Sequence, residues 1–161
     1  MTAAQSSPPV AQAGTVRVAA AQFDPRLGDI AHNTARIESL LDRAAANGAG
    51  MVVFPECAVT GYTVSSFEEA RALAQPADGK AVRAIEARCA ARNTHCVIGT
   101  LLAQDDRVYN AALLLGPSGL IGAYLKAHLP YCGADRFISK GDTGFHVFDT
   151  AVGRVGMLIC Y

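Results

Sequence analysis

Short apolar runs alternate with helical stripes in the first two thirds of the chain. The runs at 16–22, 51–54 and 96–102 are nearly uninterrupted, which is typical of strands covered on both faces. Between them, apolar residues recur at helical spacing over 30–47 and again over 80–92. This order predicts two β-α-β units and therefore parallel strands. We expect the strand at 16–22 to be central in the sheet.

The pattern changes in the last third of the chain. Apolar segments at 108–115 and 120–125 are joined by a turn at 116–119, which is too short for anything except an antiparallel hairpin. A short strand is expected at 146–148, and 155–160 is interpreted as a last buried strand. Parallel units followed by hairpins predict an α/β fold whose sheet is mixed.

Composition and charge narrow the class of protein. The 161 residues are 51% apolar and 17% charged, which is enough apolar material for one domain with a substantial core. The 14 basic and 14 acidic residues balance, so we expect neither a nucleic acid partner nor an anionic membrane surface. The long uncharged run over 108–125 is broken by Gly and Pro in its middle, which argues against a membrane span.

The cysteines and histidines do not form a recognisable metal or disulfide motif. Five cysteines are an odd number without a CxxC pair, and the four histidines are scattered. This usage fits a reducing, cytoplasmic compartment and predicts no metal site. The polar, proline-containing residues 1–15 are predicted to be a disordered tail.

Three side chains with complementary chemistry follow or end predicted strands. Glu56 comes directly after the strand at 51–54, Lys126 follows 120–125, and Cys160 ends 155–160. Side chains just beyond the carboxyl ends of strands meet at the ligand crevice of such sheets. An acid, a cation and a thiol together could perform acyl transfer on a carbonyl carbon. Taken singly, each has a simpler interpretation as a surface acid, a solvated lysine or a small buried hydrophobe.

Blocks of sequence surround these candidates in a characteristic order. They are Phe54-Pro55-Glu56 with Thr60-Gly61-Tyr62, Tyr124-Leu125-Lys126-Ala127-His128-Leu129-Pro130, and Gly156-Met157-Leu158-Ile159-Cys160-Tyr161. In order and separation they resemble the signature blocks of the nitrilase superfamily, the carbon-nitrogen hydrolases. The resemblance implies an α-β-β-α sandwich and homo-oligomers. It also implies Glu56 as general base, Lys126 as stabiliser of the tetrahedral intermediate, Cys160 as nucleophile, and no cofactor.

Three further residues are candidates for contacts with the substrate. Tyr161 after the cysteine resembles the amide and carbamoyl hydrolase branches, whereas nitrilases more often have Trp there. Many relatives carry a second glutamate between the Lys and the Cys, and Asp135 is the nearest candidate here. A turn aspartate is an equally good interpretation of Asp135. With Tyr62, these residues are the candidates for substrate contacts, and a small amide or carbamoyl compound is the expected partner.

Members of the superfamily continue past the Cys-Tyr pair with an acidic residue and further strands and helices. Residues 16–161 are therefore expected to be a carbon-nitrogen hydrolase domain that is incomplete at its C-terminal end. By itself we expect this piece to self-associate and to have negligible activity. Three alternatives stay open: a catalytically silent fragment or assembly module, a nitrile-hydrolysing relative, and a Cys-His hydrolase that uses His128.

Overall fold

The computed structural model describes residues 14–160, in which helices pack against a mixed five-stranded sheet. The sheet contains β1 (Val18–Ala20), β2 (Met51–Val53), β3 (His95–Gln104), β4 (Arg107–Gly116) and β5 (Gly119–Leu125). The helices are α1 (Ile30–Ala46), α2 (Phe67–Leu73) and α3 (Lys80–Arg92), with a 3-10 helix at Gly133–Arg136. Two further strands, β6 (Val147–Thr150) and β7 (Gly153–Gly156), form a separate antiparallel hairpin. The tail predicted over 1–15 lies almost entirely outside the described residues.

The strand directions confirm the prediction of a mixed α/β fold. The strands are ordered β1-β2-β3-β4-β5, with β1, β2 and β3 parallel to one another. β4 is antiparallel to both β3 and β5. β5 therefore runs in the same direction as β2, and the carboxyl ends of these two strands lie at the same edge of the sheet.

The prediction that the first strand is central is wrong. β1 lies at the edge of the described sheet and pairs only with β2, over three residues. Val18 in this strand is 57% exposed. The run over 16–22 is apolar largely because it contains alanines. Alanine has little apolar surface, so its exposure in an edge strand costs little free energy.

Helices α1 and α3 cover one face of the sheet as their apolar stripes predict. Asp29 caps α1, since its carboxylate accepts a hydrogen bond from the His32 amide at 3.1 Å. The core on this face includes fully buried Ile37 and Leu41 from α1 and Ile85 from α3. The shorter helix α2 was not predicted, although Ser66 caps its start by accepting a hydrogen bond from the Glu69 amide, and Glu69 Oε2 accepts one from the Ser65 amide.

The predicted buried strand at 155–160 is also wrong. β7 ends at Gly156, and the residues after it leave the hairpin without pairing to the main sheet. Met157 and Ile159 instead pack on the second face of the sheet, against Leu114 and Tyr124 among others. Leu158, between them, is 73% exposed. The apolar run therefore reflects alternate burial of an irregular segment on the sheet.

Gly99 in β3 allows the chain after β2 to pass close to the sheet. A Cβ atom at this position would lie 2.4 Å from both the Cys57 amide nitrogen and the Pro55 carbonyl oxygen. These are backbone atoms of the segment that carries Glu56, so no side-chain rotation could relieve the overlap. The glycine therefore determines how close this segment sits to β3.

We expect Gly99→Ala to lower the free energy of unfolding by about 1–3 kcal/mol, because the added methyl group overpacks this contact. Urea denaturation of the two proteins measures the difference. Gly156→Ala is the matched control, because the nearest atom to its added Cβ would be 3.9 Å away. Equal stability of Gly99→Ala and the parent chain would contradict the close approach.

Candidate active site

Glu56 lies in a tight turn just beyond the carboxyl end of β2. The Phe54 amide donates a hydrogen bond to the Val97 carbonyl at 2.9 Å, which extends the pairing with β3 by one residue. The turn follows, with Cys57 in the left-handed region at a φ of 50°. The Val59 amide then donates to the Gly99 carbonyl at 3.1 Å. Glu56 is thus attached to β3 through backbone contacts on both sides.

Lys126 follows β5 directly, as the sequence predicts, and its side chain is buried rather than solvated. Its amide donates to the Asn110 carbonyl at 2.8 Å, and its side chain is 1% exposed. The ammonium Nζ lies 2.7 Å from Glu56 Oε1 and 2.5 Å from Asp135 Oδ2. The parallel directions of β2 and β5 bring Glu56 and Lys126 to one edge of the sheet.

Asp135 belongs to this buried ion-pair cluster. It lies in the 3-10 helix of the long loop after β5, and its side chain is fully buried. Its Oδ2 accepts a hydrogen bond from the Tyr62 hydroxyl at 3.1 Å as well as from Lys126. Neither Asp135 nor Tyr62 lines the pocket that contains Cys160. Asp135 contacts Lys126, Tyr62 and Asn110, and the Tyr62 hydroxyl also lies 2.7 Å from the Cys132 carbonyl oxygen. Substrate contacts of Asp135 and Tyr62 stay a prediction.

The two carboxylates keep Lys126 charged. Burial by itself would lower the pKa of Lys126, but hydrogen bonds from its ammonium to Asp135 and Glu56 outweigh burial and raise that pKa above its usual value. The cluster of one ammonium and two carboxylates carries a net negative charge when all three groups are ionised. An ammonium held in this way can donate to a negatively charged oxygen without first acquiring a proton.

Cys160 lies beside Glu56 on a small pocket of about 140 Å³. Phe54, Val97 and Ala112 contribute to its walls. Cys160 is exposed and adopts a φ of 56°, in the left-handed region. In the described part of the chain its thiol makes no hydrogen bond to Glu56 or Lys126. The structure thus places Glu56, Lys126 and Asp135 in direct contact, with Cys160 on the pocket next to them.

The remaining cysteines are in different surroundings. Cys57 is fully buried, and burial, together with the Glu56 and Asp135 carboxylates, raises the pKa of its thiol well above its usual value. Cys89 of α3 and Cys96 of β3 are buried in the core between that helix and the sheet. Cys132 is exposed but lies on the loop near Tyr62. Cys160 is therefore the exposed cysteine that lines the Glu56 pocket.

Asn110 is a residue of this site that the sequence reasoning missed. It is fully buried on β4, and its side-chain amide donates to Glu56 Oε1 at 2.6 Å and to Asp135 Oδ1 at 3.0 Å. The available signal was a polar residue inside an otherwise apolar strand, since a buried amide needs hydrogen-bond partners.

His128 does not join the described cluster. His128 lines a separate pocket formed with Lys140 and Phe145, and it does not line the Cys160 pocket. Tyr161 lies outside the described residues. Over residues 14–160, no group of three or more His, Cys, Asp or Glu side chains is arranged to hold a metal ion. In the same range no helix is both long and apolar enough to cross a membrane.

Comparison with known proteins supports the resemblance seen in the sequence. The chain is 35% identical to a nitrilase of Pyrococcus abyssi over 147 residues, which cover 91% of this chain and 56% of that protein. It is 31% identical to the human omega-amidase NIT2, covering 80% of this chain and 49% of the relative. It thus spans about half the length of these curated relatives.

The fold also matches a solved structure. A CN-hydrolase superfamily protein from Xanthomonas campestris, with an arsenic adduct in its active site, superposes with a TM-score of 0.78 at 24% identity, covering 91% of this chain and 53% of that one. The family described as carbon-nitrogen hydrolase matches residues 17–161, which is nearly the whole sequence. The chain belongs to the carbon-nitrogen hydrolase family.

Proposed function

We propose that this chain carries the Glu-Lys-Cys machinery of a hydrolase of small, non-peptide amides or N-carbamoyl compounds. Glu56 is the general base, Lys126 stabilises negative charge, and Cys160 is the nucleophile. The observation that carries the proposal is the buried Lys126 ammonium, bonded to Glu56 at 2.7 Å beside the pocket that Cys160 lines. A buried charge of this kind is costly and is typical of functional sites.

The first half of the reaction forms a thioester. Glu56 takes the proton of the Cys160 thiol, and the sulfur attacks the carbonyl carbon of the substrate. Negative charge moves to the carbonyl oxygen, where the Lys126 ammonium donates a hydrogen bond. The carbonyl re-forms as the C–N bond breaks, and the nitrogen leaves with the proton that Glu56 returns. Ammonia or an amine is released, and the acyl group stays on sulfur.

Water completes the cycle. Glu56 takes a proton from a water molecule, whose oxygen attacks the thioester carbonyl. The second tetrahedral intermediate collapses with cleavage of the C–S bond, and the proton returns to sulfur. A carboxylic or carbamic acid is released, and the thiol and the Glu56 carboxylate are regenerated. One carboxylate thus serves both halves of the reaction without a net change in its charge.

Two features guide the choice of substrate class. Tyr161 after the nucleophile is similar to amide and carbamoyl hydrolases, and the human relative is named an omega-amidase. The Pyrococcus relative is named a nitrilase, so nitrile hydrolysis is the alternative. A pocket of about 140 Å³ favours a small acyl group.

The five free cysteines fit a cytoplasmic location, and a homo-oligomer is proposed from the family resemblance.

The first test identifies the nucleophile. During turnover of a slow amide, acid quenching followed by peptide mapping should place the acyl mass on Cys160, because this thiol lines the Glu56 pocket. Cys132 serves as the internal control, since it is also exposed but lies elsewhere. An acyl group on Cys132 alone, or on Cys57, would overturn the assignment.

The second test concerns the base. Glu56→Gln preserves shape but cannot take a proton, so kcat should fall by a factor on the order of 100 to 10,000. Glu68→Gln is the matched control, because Glu68 is exposed on α2, and it should retain activity. Circular dichroism checks that both variants fold. Full turnover by Glu56→Gln across neutral pH would make Glu56 a structural acid.

A further inference from the structure

Asn110 links the two carboxylates of the active-site cluster. Its Nδ2 donates one hydrogen bond to Glu56 Oε1 at 2.6 Å and the other to Asp135 Oδ1 at 3.0 Å. The Lys126 ammonium donates to Glu56 Oε1 and to the other oxygen of Asp135. Four side chains therefore form a closed ring of hydrogen bonds in which each carboxylate receives one bond from the amide and one from the ammonium.

The Asn110 side chain donates two hydrogen bonds without adding a positive charge to the cluster. The ring holds two carboxylates against one ammonium, and like charges at this distance repel one another. Asn110 supplies two N–H donors without adding a charge, so both carboxylates are held while the local charge is unchanged. A second lysine in its place would weaken the contacts of Lys126 with Glu56 and Asp135, because the two ammonium groups would repel each other. The neutral amide is thus suited to this position.

The orientation of the amide is itself fixed. The Cys57 thiol donates to Asn110 Oδ1, with sulfur and oxygen 3.6 Å apart, which directs Nδ2 toward the carboxylates. The backbone carbonyl of Asn110 accepts the Lys126 amide at 2.8 Å. Asn110 lies in β4, which is paired with β3 on one side and β5 on the other. The donor group is therefore held by a rigid part of the fold.

The two carboxylate oxygens of Glu56 have different surroundings. Oε1 accepts both the Lys126 and the Asn110 hydrogen bonds. Among residues 14–160, no hydrogen bond reaches Oε2. Glu56 also lines the Cys160 pocket, so a carboxylate fixed through Oε1 presents Oε2 as the oxygen free to accept a proton. Two bonds to one oxygen restrain the carboxylate more firmly than either bond alone.

We propose that Asn110 is a positioning residue that holds Glu56 by Oε1 and so selects Oε2 as the basic atom. This inference rests on the proposed function, in which Glu56 is the general base. Asn110 itself is not among the residues that line the Cys160 pocket. Its role is to keep the carboxylate aimed at the thiol and later at water, which is a matter of orientation rather than of binding.

The test compares Asn110→Leu with the parent protein. Leucine is close in volume but has no donor, so Glu56 loses one of the two bonds on Oε1. We expect kcat for a small amide to fall on the order of 10- to 100-fold, the scale of one hydrogen bond to a charged group. KM should stay nearly unchanged, because substrate contacts are not removed.

Matched variants separate positioning from general damage. Thr100→Val removes a buried hydroxyl from the neighbouring strand β3, and it should leave kcat unchanged. Among residues 14–160 the one hydrogen bond of this hydroxyl goes to the Leu101 carbonyl. Asn110→Ser replaces Asn110→Leu if the latter does not fold, since its shorter side chain leaves room for water but cannot reach Glu56. A change confined to KM, or unchanged kinetics in a folded Asn110 variant, would overturn the proposal.

A crystal structure of the folded Asn110 variant decides the matter independently of turnover. We expect the Glu56 carboxylate to rotate away from its present position on Lys126 and to adopt more than one conformation. An unmoved Glu56 would overturn the proposal whatever the kinetics show. Absence of turnover in the full-length parent protein would instead count against the proposed function, and the position of Glu56 in the variant would still test Asn110.

Discussion

The buried ammonium of Lys126 is the interaction on which the rest of this site depends. Removing a lysine charge from water costs several kcal/mol, and only well-placed counter-charges and hydrogen bonds offset that cost. Glu56 and Asp135 supply them at 2.7 and 2.5 Å. The contacts that keep the lysine charged also hold the two carboxylates in place. The positions of the three side chains therefore depend on one another.

The fold brings these groups together from distant parts of the chain. Glu56 and Lys126 follow parallel strands that end at one edge of the sheet, 70 residues apart in sequence. Gly99 lets the Glu56 turn approach β3 more closely than any other residue would permit. Asp135 arrives on a loop whose 3-10 helix is tied to the first block, because the Ala134 amide donates to the Tyr62 carbonyl at 2.8 Å. Backbone contacts thus bring together the elements that carry these side chains.

The sequence predicted the elements better than their arrangement. Helices α1 and α3 were expected almost residue for residue, because their apolar stripes coincide with clear boundaries such as Asp29. The edge position of β1 could not be predicted, since an alanine-rich run does not reveal how many neighbours a strand has. The segment ending at Cys160 looked like a buried strand because it is an almost uninterrupted apolar run, yet its last residues have no ladder partner in the described sheet.

The sequence likewise predicted some residues of the site but not the contacts between them. Glu56 and Lys126 were found because strand ends and a family resemblance point to them. Asn110 was missed because its importance comes from partners 25 and 54 residues away, which no local pattern reveals. The interpretation of Asp135 was left open for the same reason, since a turn aspartate and a buried counter-ion look alike until the loop is folded.

Glu56 and Asp135 hold Lys126 as a buried ammonium. Its raised pKa means that the folded state holds this proton more tightly than the unfolded chain does. The stability gained is therefore complete below the unfolded lysine pKa of about 10.4 and is lost only as the pH rises through the folded-state value.

Titration of the Lys126 side-chain nitrogen by heteronuclear NMR measures this directly. We predict an ammonium signal throughout the neutral range, with a midpoint above the ordinary lysine value of about 10.4. A midpoint below that value, or a neutral amine near pH 7, would show that Glu56 and Asp135 do not hold Lys126 as an ammonium.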